Sequence, residues 1–305
     1  GSLAPGRLTP ETETAVLEMA WGYCKDTSKV ADAETAISQT WHIYESENHH
    51  LQRFSTVWHF SKFLKNDSRY ASRLYDDGKT PAQHYRAWTD YTKEFLRERA
   101  KKGLFVEVAS KGYGFQSLKC IHSFYDFADD PTLRRRAGYL LDLFWATWAE
   151  EQIDGVRGGG KTRVYQGRNS QIQTGDPIDR LAWYYLGRGE SSPPQGNFFS
   201  FITSDYRMPL VVMDMALDTT GRGSYEITQR RMGLALEGYY GPPDYRLRTD
   251  FGGILRYSYC TPDFIVGTLM CEARPFEDWT MISSQNRWHG VVFAGDPNAR
   301  IYPQC

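Results

Sequence analysis

Three short stretches of this chain combine residue types that can move protons or hold an anion. The first is Glu47-Asn48-His49-His50, a carboxylate, an amide and two imidazoles in what the pattern makes the first turn of a helix. Asn and Ser there have a structural use as caps for free N–H groups. The same turn could instead present a hydrogen-bond donor and a proton acceptor together. The second stretch is Glu107-Val108-Ala109-Ser110-Lys111-Gly112-Tyr113-Gly114, read as a loop entering a helix. Two glycines leave the Tyr113 ring little covered, as suits either a turn residue or a proton donor. The third, residues 155–168, carries Arg157, Lys161, Arg163, Tyr165 and Arg168 with no acid among them. A glycine-rich, cationic loop of this kind is a solvated surface or a cradle for a carboxylate, sulfate or phosphate.

Within it, Gly155-Val156-Arg157-Gly158-Gly159-Gly160-Lys161-Thr162 spells the letters of a phosphate-binding P-loop. Such a loop needs a buried strand before it and a helix starting at the Lys-Thr. Upstream, Leu133, Ala137, Leu140, Leu141, Phe144 and Trp148 follow Asp130-Pro131 at helical spacing. Downstream, residues 163–169 hold two β-formers, a Gly and an Asn, with no helical stripe. Residues 209–214 could pass for the apolar strand ending in a magnesium-binding Asp, but 209–218 reads more easily as one buried helix. No nucleotide is therefore expected.

The elements that must position these residues are mostly helices. Thr9-Pro10-Glu11 opens a helical pattern running to about Ser38. A second starts near Ser46 and carries Leu51, Phe54, Val57, Trp58 and Leu64. A third runs from Thr80-Pro81 to Lys102-Gly103, where basic residues and a Gly end it. A fourth spans about 115–128, and the fifth begins at Pro131. Shorter helices are expected at 177–187, 205–218 and 226–237. From about Thr280 the texture changes, and Trp288-His289-Gly290-Val291-Val292-Phe293 before Gly295-Asp296-Pro297 reads as a strand and turn. Antiparallel helices with short loops imply a bundle, a solenoid or an α/α toroid, and the lack of a fixed-period motif weakens the solenoid.

With 305 residues the chain can form one large domain or a domain and part of another. A net charge of −1 gives no field to recruit nucleic acid or an anionic membrane, and counts against very highly sulfated ligands. No run of 18 apolar residues is present to span a membrane. The 20 Tyr and 9 Trp suit either a ring-rich helical core or a groove for sugars. Five scattered cysteines without C-x-x-C spacing argue against structural zinc and a dense disulfide framework, leaving open one bridge such as Cys260–Cys271. A metal set of His42, Glu45, His49 and His50 lacks the H-E-x-x-H spacing, so no metal is assigned. Gly1-Ser2 looks like a cloning scar rather than a native start, so the beginning of this chain is not expected to report an export signal or a location.

Taken in order, Glu-Asn-His at a helix start, Ser-x-Gly-Tyr about 65 residues on, and Gly-Val-x-Gly-Gly…Arg-x-Tyr after Tyr-Asp-Phe-Ala-Asp-Asp resemble the heparinase II/III-like group of polysaccharide lyases, which includes alginate lyases. Tyr259-Cys260-Thr261-Pro262-Asp263-Phe264 and the strand within 285–293 are similar to that group's passage from toroid to β-sandwich, and the resemblance covers about residues 40–295. It implies a mainly α protein: an incomplete α/α toroid of antiparallel helix pairs over 1–279, then the first strands of a β domain over 280–305. It implies a lyase that removes the C5 proton of a uronate and expels the O4-linked sugar. Asn48, His49 and Tyr113 would be catalytic, with Asn48 neutralising the substrate carboxylate. His50, Glu107, Lys111, Arg157, Arg163 and Tyr165 would bind an acidic polysaccharide. No cofactor is implied in the helical part, a metal site in a fuller β domain stays open, and a secreted or periplasmic location follows from the resemblance alone. A second catalytic Tyr is sought among Tyr239, Tyr240, Tyr257 and Tyr259. His50 departs from the pattern, in which an arbitrary or apolar residue follows the His. Two other classes stand beside this one: a glycoside hydrolase using two of Glu47, Glu107, Asp214 and Asp263, and a non-catalytic carbohydrate-binding domain.

Overall fold

The computed structural model describes residues 6–38, 40, 46–101, 103–105, 107, 110–162, 177–188, 198–231, 254–270, 287–296 and 299–301. These residues are mainly helical, with a small antiparallel sheet toward the C-terminus. The chain divides into two compact units, Gly1–Thr40 with Gln52–Phe95, and Trp41–Leu51 with Leu96–Cys305.

The first unit holds α1 (Pro10–Thr27), α2 (Val30–Ala36) and the larger parts of α3 (Glu47–Lys65) and α4 (Pro81–Lys101). Thr9 caps α1, its hydroxyl accepting from the Thr12 N–H, with Pro10 at the first helical position. The single helix expected from Thr9 to Ser38 is in fact two. Ser28 is extended (φ −95°, ψ 133°), and the N–H of Val30 that opens α2 is taken by the Asp77 carboxylate at 2.9 Å. A cap supplied from 47 residues away interrupts a pattern that periodicity alone would continue. Leu17, Ala20 and Cys24 of α1 pack with Leu64, Tyr70 and Tyr75. Burial pushes the Cys24 thiol up to about 12, so it behaves as a small apolar group.

In the second unit α5 (Lys111–Phe127) and α6 (Pro131–Ala149) form a hairpin through a three-residue connection. Asp130 makes the sharp start of α6, one carboxylate oxygen accepting from the N–H groups of Thr132 and Leu133 at 2.8 and 2.9 Å. Replacing Asp130 by Ala is expected to cost about 1 kcal/mol in urea unfolding, and Asp130→Asn only a fraction of that, because Asn keeps the acceptor. Beyond α6 come β1 (Gln152–Ile153), β2 (Val156–Arg157), β3 (Lys161–Thr162), α7 (Pro177–Leu186), α8 (Phe199–Ile202) and α9 (Leu210–Leu217). Of α9, Val212 and Ala216 are buried while Leu210 and Val211 are 77% and 73% exposed, so the helix lies on the surface rather than in the core.

The main sheet has five antiparallel strands in the order β4 (Tyr225–Arg231), β5 (Ile254–Cys260), β6 (Phe264–Met270), β8 (Gly290–Phe293) and β9 (Arg300–Ile301). A separate pairing joins β3 to β7 (Arg287–Trp288). β structure thus begins well before residue 280. The helix expected over 226–237 is a strand through Arg231, with Ile227 opposite Ser258 and Gln229 opposite Arg256. Tyr-Glu-Ile-Thr-Gln-Arg-Arg can be read at either period, and the pairing with β5 decides it. Along β6, Ile265, Gly267 and Leu269 are buried while their neighbours are less so, which gives the sheet one covered face.

Candidate functional site

The first turn of α3 and the segment before α5 meet through side chains. Glu47 and Asn48 are buried, His50 is half-buried and His49 is exposed. Asn48 Nδ2 donates to both oxygens of Glu107 at 3.0 and 3.1 Å and to Ser46 Oγ at 3.0 Å. Glu47 Oε2 accepts the backbone N–H of Glu107 at 3.0 Å, and its Oε1 lies 3.0 Å from Arg99 Nε. Two carboxylates, an amide and a guanidinium are thus interlocked where water is largely excluded. An amide facing a carboxylate must offer nitrogen, which fixes the orientation of Asn48. The Asn48 N–H groups point at the protein itself, not outward as a neutraliser of a substrate carboxylate would require. It holds the start of α3 to the segment before α5. Glu107, expected among the substrate-binding residues, is 2% exposed and belongs to the same framework.

Tyr113 lies in a helix rather than a loop. α5 starts at Lys111, four residues before the expected Phe115, and puts Tyr113 in its first turn, half-buried. Ser110 occupies the N-cap with no side-chain hydrogen bond into the helix, and no acid stands in the first turn. Lys111 holds the first position of this helix, and its side chain lies outside the described residues. Arg163 and Tyr165 lie outside the described residues altogether, as do Tyr239, Tyr240, His42 and Glu45. Tyr257 and Tyr259 are on β5.

Arg157 is not a cation on an open loop. β1 and β2 form a two-residue hairpin whose corner, Asp154-Gly155, has φ of 50° and 80°, both in the left-handed region that such a turn requires. This folds Arg157 inward, 4% exposed, with its Nη2 3.3 Å from Glu151 Oε2. Glu151 also takes Arg256 Nη2 at 2.6 Å and Nε at 3.1 Å, and accepts from the Ser258 hydroxyl. Burial would raise the Glu151 carboxyl, but the Arg256 and Arg157 guanidiniums and the Ser258 hydroxyl outweigh it and hold the group below the usual carboxylate value. Burial pulls the Arg157 guanidinium down despite Glu151. Arg256 reaches Glu150 as well, at 3.2 Å. Glu151 and Arg256 were missed in the sequence. The available signal was an Arg at the centre of an alternating strand, on the face that carries Ser258 and Cys260.

The glycines of the P-loop lettering have a packing reason. A Cβ on Gly158 would come within 2.7 Å of Ile265, and one on Gly160 within 2.6 Å of the Thr268 backbone. Lys161, 1% exposed, begins a strand where a nucleotide site would begin a helix. Among the carboxylates considered for hydrolysis, Glu47 and Glu107 are held in the buried framework, and Asp214 and Asp263 are exposed. Cys260 is free and buried, which removes the Cys260–Cys271 bridge. Among the described residues no group of three or more His, Cys, Asp or Glu is placed to hold a metal ion, and no helix is long and apolar enough to cross a membrane. No protein-family model, curated protein or solved structure matches the chain.

Proposed function

We propose that the protein is a lyase of uronate-containing polysaccharides, its helical part an α/α toroid, with the reaction carried out where α3 and α5 begin. The observation that carries this reading is the buried Asn48–Glu107 hydrogen bond, which ties together two of the clusters whose residue types could do chemistry, 59 residues apart in the chain. It supports a site in which His49 and His50, at one helix start, act together with Tyr113 at another.

The chemistry asks for three things. The C5 proton lies α to a carboxylate, and that carboxylate must be held by donors so that it can accept charge as the proton leaves. The positive end of the α5 dipole, with Lys111 at its first position, suits an anion there. A base must then take the C5 proton, and an acid must protonate the departing O4 oxygen. His49, exposed at the start of α3, is assigned as base, and Tyr113 as the group that returns a proton to the leaving sugar. Asn48 and Glu107 hold the two helix ends in register.

Elimination leaves a C4–C5 double bond that absorbs in the ultraviolet, whereas hydrolysis and binding leave none. The protein is expected to generate this absorbance on at least one of alginate, glucuronan, ulvan or desulfated heparin. Tyr113→Phe and His49→Ala should each lower kcat by about 10²–10⁴-fold with little change in thermal stability. New reducing ends without the chromophore would identify a hydrolase instead, and near-normal turnover by either variant would remove that residue from the mechanism.

A further inference from the structure

The first unit contains a second arrangement with the form of a reaction centre, unrelated to the one above. Ser28 Oγ lies 2.7 Å from His84 Nδ1, and His84 Nε2 lies 3.0 Å from Asp77 Oδ1. Proton positions follow from the partners. Asp77 accepts from the backbone N–H groups of Val30 and Lys79 at 2.9 and 3.0 Å. Burial would raise its carboxyl, but these bonds and His84 hold it below the usual value, so it is ionised and can only accept. His84 is 0% exposed, and burial lowers its imidazole despite Asp77, so the ring is neutral near pH 7. Its one proton must then sit on Nε2, facing Asp77, which leaves the Nδ1 lone pair toward Ser28. The indole N–H of Trp88 donates to Ser28 Oγ at 3.1 Å, so the Ser28 hydroxyl hydrogen is directed at His84. A hydroxyl bonded to a neutral imidazole that is itself oriented by a carboxylate is the arrangement that activates a serine nucleophile.

A cleft of about 330 Å³ borders the same elements, within the size range of small-molecule sites. Val30 and Ala33 of α2, Ile37 at its end and Ala87 of α4 supply apolar surface, and Lys79 and Arg86 are balanced by Glu34 and Asp90. Three of the lining residues lie close to the triad in the chain: Val30 is two residues after Ser28, Lys79 two after Asp77 and Arg86 two after His84, while the triad residues themselves sit behind the lining.

We propose that Ser28, His84 and Asp77 form an acyl-transfer site for small carboxylic esters, with the cleft between α2 and α4 receiving the ester. Ser28 Oγ attacks the carbonyl carbon as its proton passes to His84 Nδ1. The carbon–oxygen bond to the alcohol then breaks, and His84 returns the proton to the leaving alcohol. Water attacks the acyl-serine by the same route, giving its proton to His84 and releasing the acid as Ser28 regains its hydrogen. Asp77 keeps the ring in the required tautomer throughout. Ser28 is 2% exposed, so the proposal is confined to small esters, with acetyl as the acyl group tested.

The test uses the whole protein and methanesulfonyl fluoride, a serine-directed probe of acetyl size, with the modified residue located by peptide mass spectrometry, alongside hydrolysis of p-nitrophenyl acetate. Labelling is expected on Ser28, and His84→Gln, which keeps a side chain able to hydrogen-bond on both sides, should lower both labelling and hydrolysis by about 10²-fold or more. The proposal is overturned if the unmodified protein takes no probe at Ser28, or if His84→Gln is labelled as fast. Neither result depends on Ser28→Ala folding. A Ser28→Ala protein that hydrolyses the ester at the original rate would overturn it too. The uronate reading is read out by a different product, so the two stand or fall separately.

Discussion

Replacing Arg256 by Gln should destabilise the protein by about 3–5 kcal/mol, the usual consequence of removing one partner from a buried ion pair. Glu151 has no exposed surface, and Arg256 supplies its closest contact at 2.6 Å. Without that guanidinium the carboxylate keeps Arg157 at 3.3 Å and the Ser258 hydroxyl, too little to offset the loss of water. The pH dependence gives an independent check. The folded-state value of Glu151 is depressed, so its contribution to stability is fully present above the unfolded carboxylate value and is lost as pH falls through the folded one. In Arg256→Gln the depression shrinks, and the part of the acid limb due to Glu151 shrinks with it. Chemical unfolding at neutral pH and at a series of acid pH values measures both effects. Equal midpoints for the two proteins at neutral pH would show that Arg256 does not hold Glu151 in solution.

The helices whose start signals are local could be read from the chain: Thr9-Pro10, Thr80-Pro81 and Asp130-Pro131 each open a helix where the sequence predicts one. What failed depended on partners far along the chain. The break at Ser28 is made by Asp77 and His84, and the strand at Tyr225–Arg231 by β5, so neither is visible in a window around itself. The site shows the same division. Glu47, Asn48, Glu107 and Tyr113 were identified by type and order, and the structure joins the first three of them. The direction in which Asn48 points was not legible, because it is set by the Glu107 carboxylate 59 residues away. A glycine-rich neighbourhood suggests openness, and so makes Arg157 look like a ligand-facing cation. Glu151, six residues earlier, turns it inward once the Asp154-Gly155 corner folds the strand back.

Gly267→Ala and Gly159→Ala are expected to be among the most damaging single-methyl additions to this chain. A Cβ at Gly267 would overlap the backbone of Gly159 at its Cα, which cannot yield as a flexible side chain could, and would come within 2.7 Å of Ser258 Oγ. A Cβ at Gly159 would meet the Glu151 carboxylate, which its two arginines hold in place, and Gly159 also has φ of +73°. Overpacking and left-handed strain each cost about 1–3 kcal/mol, and at Gly159 both apply. Gly223 is the internal control. Its φ is +60° but nothing lies within 4 Å of its added Cβ, so Gly223→Ala should lose only the conformational part, about 1 kcal/mol. Urea midpoints for the three variants therefore fall into two classes. A phosphate-cradling role for the loop would give another result, in which Gly159→Ala alters affinity for a nucleotide while leaving stability close to that of Gly223→Ala. If the two variants unfold alike, the glycines are not there to let the loop lie against β6, and the inward packing of Arg157 and Glu151 beneath it loses its explanation as well.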